Sequence, residues 1–137
     1  MKNLTLIFTL VLLSIILPSC DTEEHVTRVT VKVSSKEIDE SLYIKTSNWG
    51  LTGDNQITTI STNDNINHDK IENDEYYVVF GLEPFLYRQN MDSLILYSRG
   101  VIKVPKKFKT KWKIISRSVD NPTFIDLMIN KKYNKPQ

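Results

Sequence analysis

The sequence predicts an all-β fold: a small antiparallel β-sandwich or curled sheet of about six to eight strands with a short C-terminal helix. Composition favours it, because alanine, the strongest helix former, does not occur in the 137 residues, whereas β-branched side chains are abundant. In addition, short apolar stretches recur along the chain, with glycine, proline and asparagine turns between them. Both observations indicate strands.

Three strands are predicted in the first half of the mature chain. In residues 26–33 valine alternates with polar residues, which is the period of a strand that buries one face. Residues 42–46 form a second strand. After a turn with two glycines, residues 56–62 return as the third strand.

The most polar stretch is residues 63–75, and it is interpreted as a solvated loop. Oxygen-rich loops can bind calcium, but an EF-hand requires fixed ligand spacing, a glycine in the middle of the loop and a glutamate at its end. This stretch has none of these features. The sequence therefore predicts no calcium site.

An aromatic strand is predicted at residues 76–80, and its uninterrupted apolar sequence indicates a central strand buried on both faces. Pro84 cannot donate to a β-ladder and therefore follows the end of this strand. Residues 85–88 are interpreted as a short continuation of it.

The last predicted strands contain most of the lysines. Residues 94–97 and 101–104 flank a turn at 98–100, which is typical of a hairpin. Residues 108–118 form the final strand, with lysines on one face and Trp112 on the core side. Because a row of lysines keeps an exposed sheet edge from aggregating, this strand is expected at an edge.

A single short helix is predicted near the C-terminus. Asn121 is the expected N-cap and Pro122 lies in the first turn, where a missing N–H has no consequence. Apolar residues at helical spacing continue the helix to about Asn130. Residues 131–137 are expected to fray.

The first twenty residues have the organisation of an export signal. Lys2 precedes an uncharged apolar run over residues 4–17, which is too short to span a bilayer as a helix. The run leads directly into the sequence Leu17-Pro18-Ser19-Cys20. This segment resembles the lipobox of bacterial lipoproteins. The alternative is an ordinary secretory signal with a cysteine near the cleavage site.

The resemblance implies a lipid anchor at Cys20. In lipoproteins the cysteine thiol receives a diacylglyceryl group and cleavage makes this cysteine the first mature residue, so residues 1–19 are expected to be removed. Each buried methylene contributes about 0.8 kcal/mol, so two or three acyl chains such as palmitate hold a protein permanently on a membrane. Cys20 is also the only cysteine, which excludes an intrachain disulfide.

Residues 20–25 are predicted to be the lipidated cysteine and a solvated acidic tether, and residues 26–137 a single β-rich domain. The acids of the tether are similar to the acidic export signal of surface lipoproteins. The resemblance therefore implies a protein of the cell envelope, anchored in the outer membrane. Display at the cell surface and attachment to the inner leaflet are the two alternatives.

Charge divides the mature chain into two halves. Residues 21–92 hold fourteen acids and six bases, whereas residues 93–137 hold two acids and eleven bases. One interpretation is that the halves neutralise each other across paired strands. The other is that the basic half binds an anionic envelope component or an acidic protein. The candidate anion-binding residues are Lys107, Lys109, Lys111 and Lys113.

The sequence contains no motif that predicts catalysis. It lacks a nucleophile elbow and a glycine-rich phosphate loop, and both histidines, His25 and His68, lie in polar stretches. No cofactor, no metal site and no nucleic-acid partner is predicted. The leading hypothesis is a non-enzymatic interaction or envelope-assembly protein. The alternatives are a small ligand-binding or inhibitor module and an uncharacterised hydrolase.

Overall fold

Two β-sheets and one helix make up the domain. The computed structural model describes residues 26–50, 53–66, 74–130 and 132–136. The predicted signal peptide, Cys20 and the tether lie outside these residues. The elements are β1 (Thr27–Ser34), β2 (Ser41–Trp49), β3 (Asn55–Ser61), β4 (Tyr77–Phe80), β5 (Leu86–Asn90), β6 (Ser93–Ser98), β7 (Lys113–Ser118) and α1 (Asn121–Ile129). The predicted all-β class with a short C-terminal helix is confirmed.

The first sheet is an antiparallel meander with the order β1-β2-β3-β4. Its three longest strands are those predicted at residues 26–33, 42–46 and 56–62. In the observed register Val31 lies opposite Ile44, and Ile44 lies opposite Ile60, so that one apolar row crosses the sheet. On β1 the alternation is retained, because Val33 is buried while the polar residues between the valines are exposed.

The prediction for β4 is wrong in one respect. β4 pairs with β3 only and forms the edge of the first sheet, so it is not central. It is also not buried on both faces, because Phe80 is 53% exposed while Tyr77 points into the core. The apolar run at residues 76–80 thus belongs to a partly exposed edge strand, in which Val78 and Val79 are half-buried.

The second sheet has the order β5-β6-β7 and is mixed. β5 and β6 form an antiparallel hairpin, closed by Asn90 opposite Ser93, with Met91 and Asp92 as its two-residue turn. Met91 adopts a φ of 50°, which a tight hairpin turn demands. β5 is thus a strand of a second sheet and does not continue β4, as residues 85–88 were expected to.

The hairpin predicted around residues 98–100 is not formed, because residues 101–104 are not a strand. β6 instead pairs with β7 in parallel, with Leu94 beside Ile114 and Leu96 beside Ser116. β7 begins only at Lys113, so residues 108–112 of the predicted final strand lie outside it. The parallel pair is the departure from the predicted antiparallel sandwich.

The main core lies between the two sheets. Strand alternation places Leu94, Leu96 and Tyr87 on the face of the second sheet that packs against the first. The first sheet contributes Val33, Leu42, Ile44, Ile60 and Tyr77 to this core. With no disulfide in the domain, this packing carries the stability.

The other face of the second sheet is covered by α1. Phe124 is 1% exposed and packs against Leu86 and Tyr97, which alternate with the residues of the main core. Burying such a phenylalanine contributes about 2 to 3 kcal/mol. The helix begins one residue earlier than predicted, because Asp120 and not Asn121 is the N-cap and its carboxylate accepts from the Thr123 N–H at 3.0 Å. It ends at Ile129, as expected.

The C-terminal tail is not frayed within residues 132–136. Asn134 exchanges two backbone hydrogen bonds with Tyr87, at 2.8 and 2.9 Å. Pro136 is fully buried, and its carbonyl accepts from the Thr46 hydroxyl at 2.9 Å. The ring of Tyr133 also packs edge-on against Tyr97. The expectation of fraying was wrong because these residues pair with β5 and cap the first sheet.

Candidate functional site

The stretch that connects β6 to β7 contains the predicted anion-binding lysines. Since β6 and β7 are parallel, the chain must return to the other end of the sheet between them, and residues 99–112 do this without strand or helix. Residues 99–113 are called the basic segment below. Its lysines are all exposed: Lys103, Lys106, Lys107, Lys109, Lys111 and Lys113.

Glu40, just before β2, fixes the end of the basic segment to the first sheet. Its carboxylate Oε2 accepts hydrogen bonds from the Thr110 hydroxyl and, at 2.8 Å, from the Lys111 backbone N–H. Its carbonyl accepts from the Trp112 indole Nε1 at 3.0 Å. One acidic residue therefore determines the path of the chain at residues 110–112.

Apolar side chains fix the rest of the segment. Ile102 and Trp112 are buried in the main core, and the Phe108 ring packs edge-on against Tyr77 with centroids 5.2 Å apart. Burial raises the pKa of the Tyr77 phenol above its usual value. Because these anchors alternate with lysines, the ammonium groups remain in solvent. The sequence prediction that Trp112 is a core residue is confirmed.

The structure changes the interpretation of the lysines as edge protection. Lys109 and Lys111 precede β7 and cannot form a comb along a strand, and Lys113 is the first residue of that strand. β7 does form an edge of the second sheet, as expected. The candidate residues Lys107, Lys109 and Lys111 thus lie in irregular chain, and only Lys113 lies on a strand.

A cleft of about 410 Å³ lies between β4 and the start of the basic segment. Its lining comes from β4, from the turn that follows it, and from residues 98–103. Several apolar side chains around it are unusually exposed: Phe80 at 53%, Leu82 at 52% and Val101 at 92%. Exposed apolar side chains that are contiguous in this way are typical of interaction sites.

Positive charge surrounds this cleft. Arg99 and Lys103 line it, and both are exposed. Its one acidic residue, Glu83, is paired with the Lys135 ammonium at 2.5 Å. The guanidinium of Arg99 lies 4.7 Å from the centre of the Phe124 ring, so its position is fixed by the helix. The cleft therefore favours a ligand with apolar and acidic groups.

Sequence reasoning missed the cleft, although it identified the lysines. The residues that line it are about twenty positions apart in sequence, and only the fold brings them together. The turn after β4 gave a signal in retrospect, because Gly81 and Pro84 break a strand beside two large apolar residues, Phe80 and Leu82. The next strand can bury large apolar residues at such a break. Here Phe80 and Leu82 remain exposed.

Catalytic geometry is not evident in the part of the chain that the structure describes. There, no group of three or more histidine, cysteine, aspartate or glutamate side chains converges to hold a metal ion. The cleft contains a single aromatic ring, Phe80, and its acid is engaged in an ion pair.

Two further observations concern membrane-spanning helices and similarity to known proteins. Over residues 26–50, 53–66, 74–130 and 132–136, no helix has both the length and the apolar character needed to cross a bilayer. No protein-family model, no curated protein and no solved structure matches this chain.

Proposed function

We propose that this protein is a non-enzymatic interaction protein of the bacterial cell envelope. It is lipid-anchored at Cys20, and its basic segment binds an acidic partner protein. The observation that carries the proposal is the exposure of every lysine in residues 99–113 on a backbone that Glu40, Ile102 and Trp112 hold in place. A fixed, solvated row of ammonium groups attracts polyanions over a long range and accelerates their association.

The anchor supports the same function. A diacylated cysteine followed by a short tether would hold the domain close to a membrane, where its partners are other envelope proteins and anionic headgroups. Lipopolysaccharide phosphates and anionic lipids share the charge of an acidic protein, so the experiment has to separate them. The outer membrane and the cell surface are the proposed location.

The alternative of a small ligand-binding module has less support. The volume of the cleft lies within the range of small-molecule sites. However, such sites are enclosed and lined by several aromatic and convergent polar groups, whereas this cleft has one aromatic ring and exposed walls.

The anchor is tested by changing Cys20 to Ser. We expect the wild-type protein to partition with membranes and to incorporate a labelled fatty acid, and the variant to do neither. Mass spectrometry of the mature protein should place a modified cysteine at its N-terminus. An unmodified thiol, or a mature N-terminus at another residue, would remove the basis for envelope anchoring.

The basic segment is tested with a variant in which its four candidate residues become glutamine: Lys107, Lys109, Lys111 and Lys113. A control variant removes four exposed cations elsewhere: Arg28, Lys32, Lys36 and Lys132. We expect the wild type and the control to bind immobilised poly-glutamate in a salt-dependent manner and the first variant to lose binding. Vesicles with and without phosphatidylglycerol form the second arm. Preferential binding to the anionic vesicles would assign the segment to lipid, and equal losses in both variants would refute a specific site.

A further inference from the structure

Within the described residues, the outer edge of β4 carries backbone groups without a hydrogen-bond partner. Gly81 donates to the Gln56 carbonyl at 3.0 Å, so residues 56 and 81 form a hydrogen-bonded pair. In an antiparallel ladder such pairs alternate, and the register places residues 77 and 79 in the next ones. The N–H and C=O groups of Val78 and Phe80 therefore point away from β3. Both residues line the cleft.

The basic segment runs beside this edge in the opposite direction but does not pair with it. At one end the Lys107 backbone N–H donates to the Asp74 carbonyl at 2.7 Å, and at the other the Arg99 guanidinium lies 3.5 Å from the Leu82 carbonyl. Between these contacts the two stretches separate and enclose the cleft. Within the described residues, no backbone hydrogen bond joins Val78 or Phe80 to the segment.

Unpaired edges are normally short, charged or covered, because they accept strands from other chains. This edge is short. Its side chains are apolar, however, and the N–H and C=O groups that point away from β3 face the open cleft. An extended polypeptide supplies the missing donors and acceptors at the spacing of a strand, which a lipid headgroup or a compact metabolite does not.

We propose that the free edge of β4 binds an extended segment of a partner protein as an added antiparallel strand, and that this segment alternates apolar and acidic residues. Apolar side chains opposite Val78 and Phe80 would share their face of the sheet. The carboxylates would lie near Arg99 and Lys103. This inference rests on the proposed function, because it names the partner class and the mode of binding.

Charge also argues against a second copy of this chain as the occupant. Two β4 edges paired about a two-fold axis would bring Arg99 and Lys103 of both copies into the same region. Like charges at such a distance oppose pairing. Glu83, the acidic residue that lines the cleft, is already paired with Lys135 and does not offset these charges.

The experiment uses a fluorescent peptide of alternating valine and glutamate and the full-length protein in detergent. We expect saturable binding, with backbone NMR shifts centred on β4 and residues 99–103. Two control peptides are a lysine-for-glutamate peptide and a peptide whose valine amides are N-methylated. Both should fail to bind, because the first repels the cleft and the second cannot donate to Val78 and Phe80.

Two protein variants compare a charge change inside the cleft with the same change outside it. Lys103→Glu should weaken binding about tenfold. Lys132→Glu, an exposed site outside the cleft, should leave it unchanged.

The remaining outcomes overturn the inference in distinguishable ways. Equal binding of the N-methylated peptide would show charge attraction without strand addition and would leave the proposed function standing. If the alternating peptide did not bind while poly-glutamate still did, strand addition would be refuted and the proposed function would stand. Concentration-dependent dimerisation with shifts at β4 would assign the edge to a second copy. If the wild-type protein bound neither the alternating peptide nor poly-glutamate, both the strand addition and the proposed function would be refuted.

Discussion

The contacts of Glu40 lead to a quantitative prediction about stability. The carboxylate of this glutamate accepts hydrogen bonds from both Thr110 and Lys111. Glu40→Ala removes that acceptor and leaves the Thr110 hydroxyl, which is partly buried, without its partner. Glu40→Gln retains an oxygen in the same place and removes only the charge.

The magnitude follows from the exposure of the two donors. Hydrogen bonds to a charged acceptor contribute about 1.5 to 3 kcal/mol each when they are desolvated. The Lys111 N–H is exposed and can bond to water instead, so its contribution lies well below that range. We expect Glu40→Ala to lower the free energy of unfolding by about 2 to 3 kcal/mol, and Glu40→Gln by about 1 kcal/mol.

Urea denaturation followed by tryptophan fluorescence measures both values, because Trp112 donates its indole N–H to the Glu40 carbonyl and reports on this region. The backbone carbonyl is present in both variants, so the indole bond serves as an internal control. The reasoning would be refuted if the alanine variant were as stable as the wild type, or if glutamine were as damaging as alanine.

Three further predictions concern other parts of the fold. Hydrogen bonds from Thr123 lower the pKa of Asp120, so the stability that this N-cap contributes is present above its ordinary pKa and is lost as the pH falls through the lowered one. Asp120→Ala should therefore reduce the denaturation midpoint at neutral pH, and the difference from the wild type should vanish in strong acid. Met91→Gly should stabilise the hairpin by about 1 kcal/mol, because φ is positive there, whereas Met91→Ala should not. Burial raises the pKa of Tyr77 and Tyr87, so stability should fall as the pH rises above 10.0, the ordinary tyrosine value, and replacing both by phenylalanine should reduce that fall.

Local patterns were sufficient to predict the elements whose partners are their neighbours in sequence. β1, β2 and β3 form a meander, so each strand pairs with the next, and alternation alone fixes which face is buried. The helix was predicted for the same reason, since its proline and its spacing act within one turn. Its cap was misplaced by one residue because Asp120 and Asn121 are both good N-caps, and sequence does not decide between them.

Sequence reasoning failed where a partner is distant. Residues 101–104 have the composition of a strand, yet β6 pairs with β7 across fourteen intervening residues, and no local signal specifies a parallel partner. The tail was expected to fray because it is a chain end, but Pro136 is buried against Thr46, ninety residues away. Burial of this kind depends on the completed fold.

The open gap beside β4 follows from the same competition between local and distant contacts. If residues 101 and 103 paired with Phe80 and Val78, they would close the cleft and complete a five-stranded sheet. Ile102 is instead drawn into the main core and Pro105, which is also buried, has no N–H to add to a ladder. Within the described residues, a partner strand would compete with this disfavoured closure. The features that keep the basic segment from becoming a strand are therefore the ones that leave β4 available to another chain.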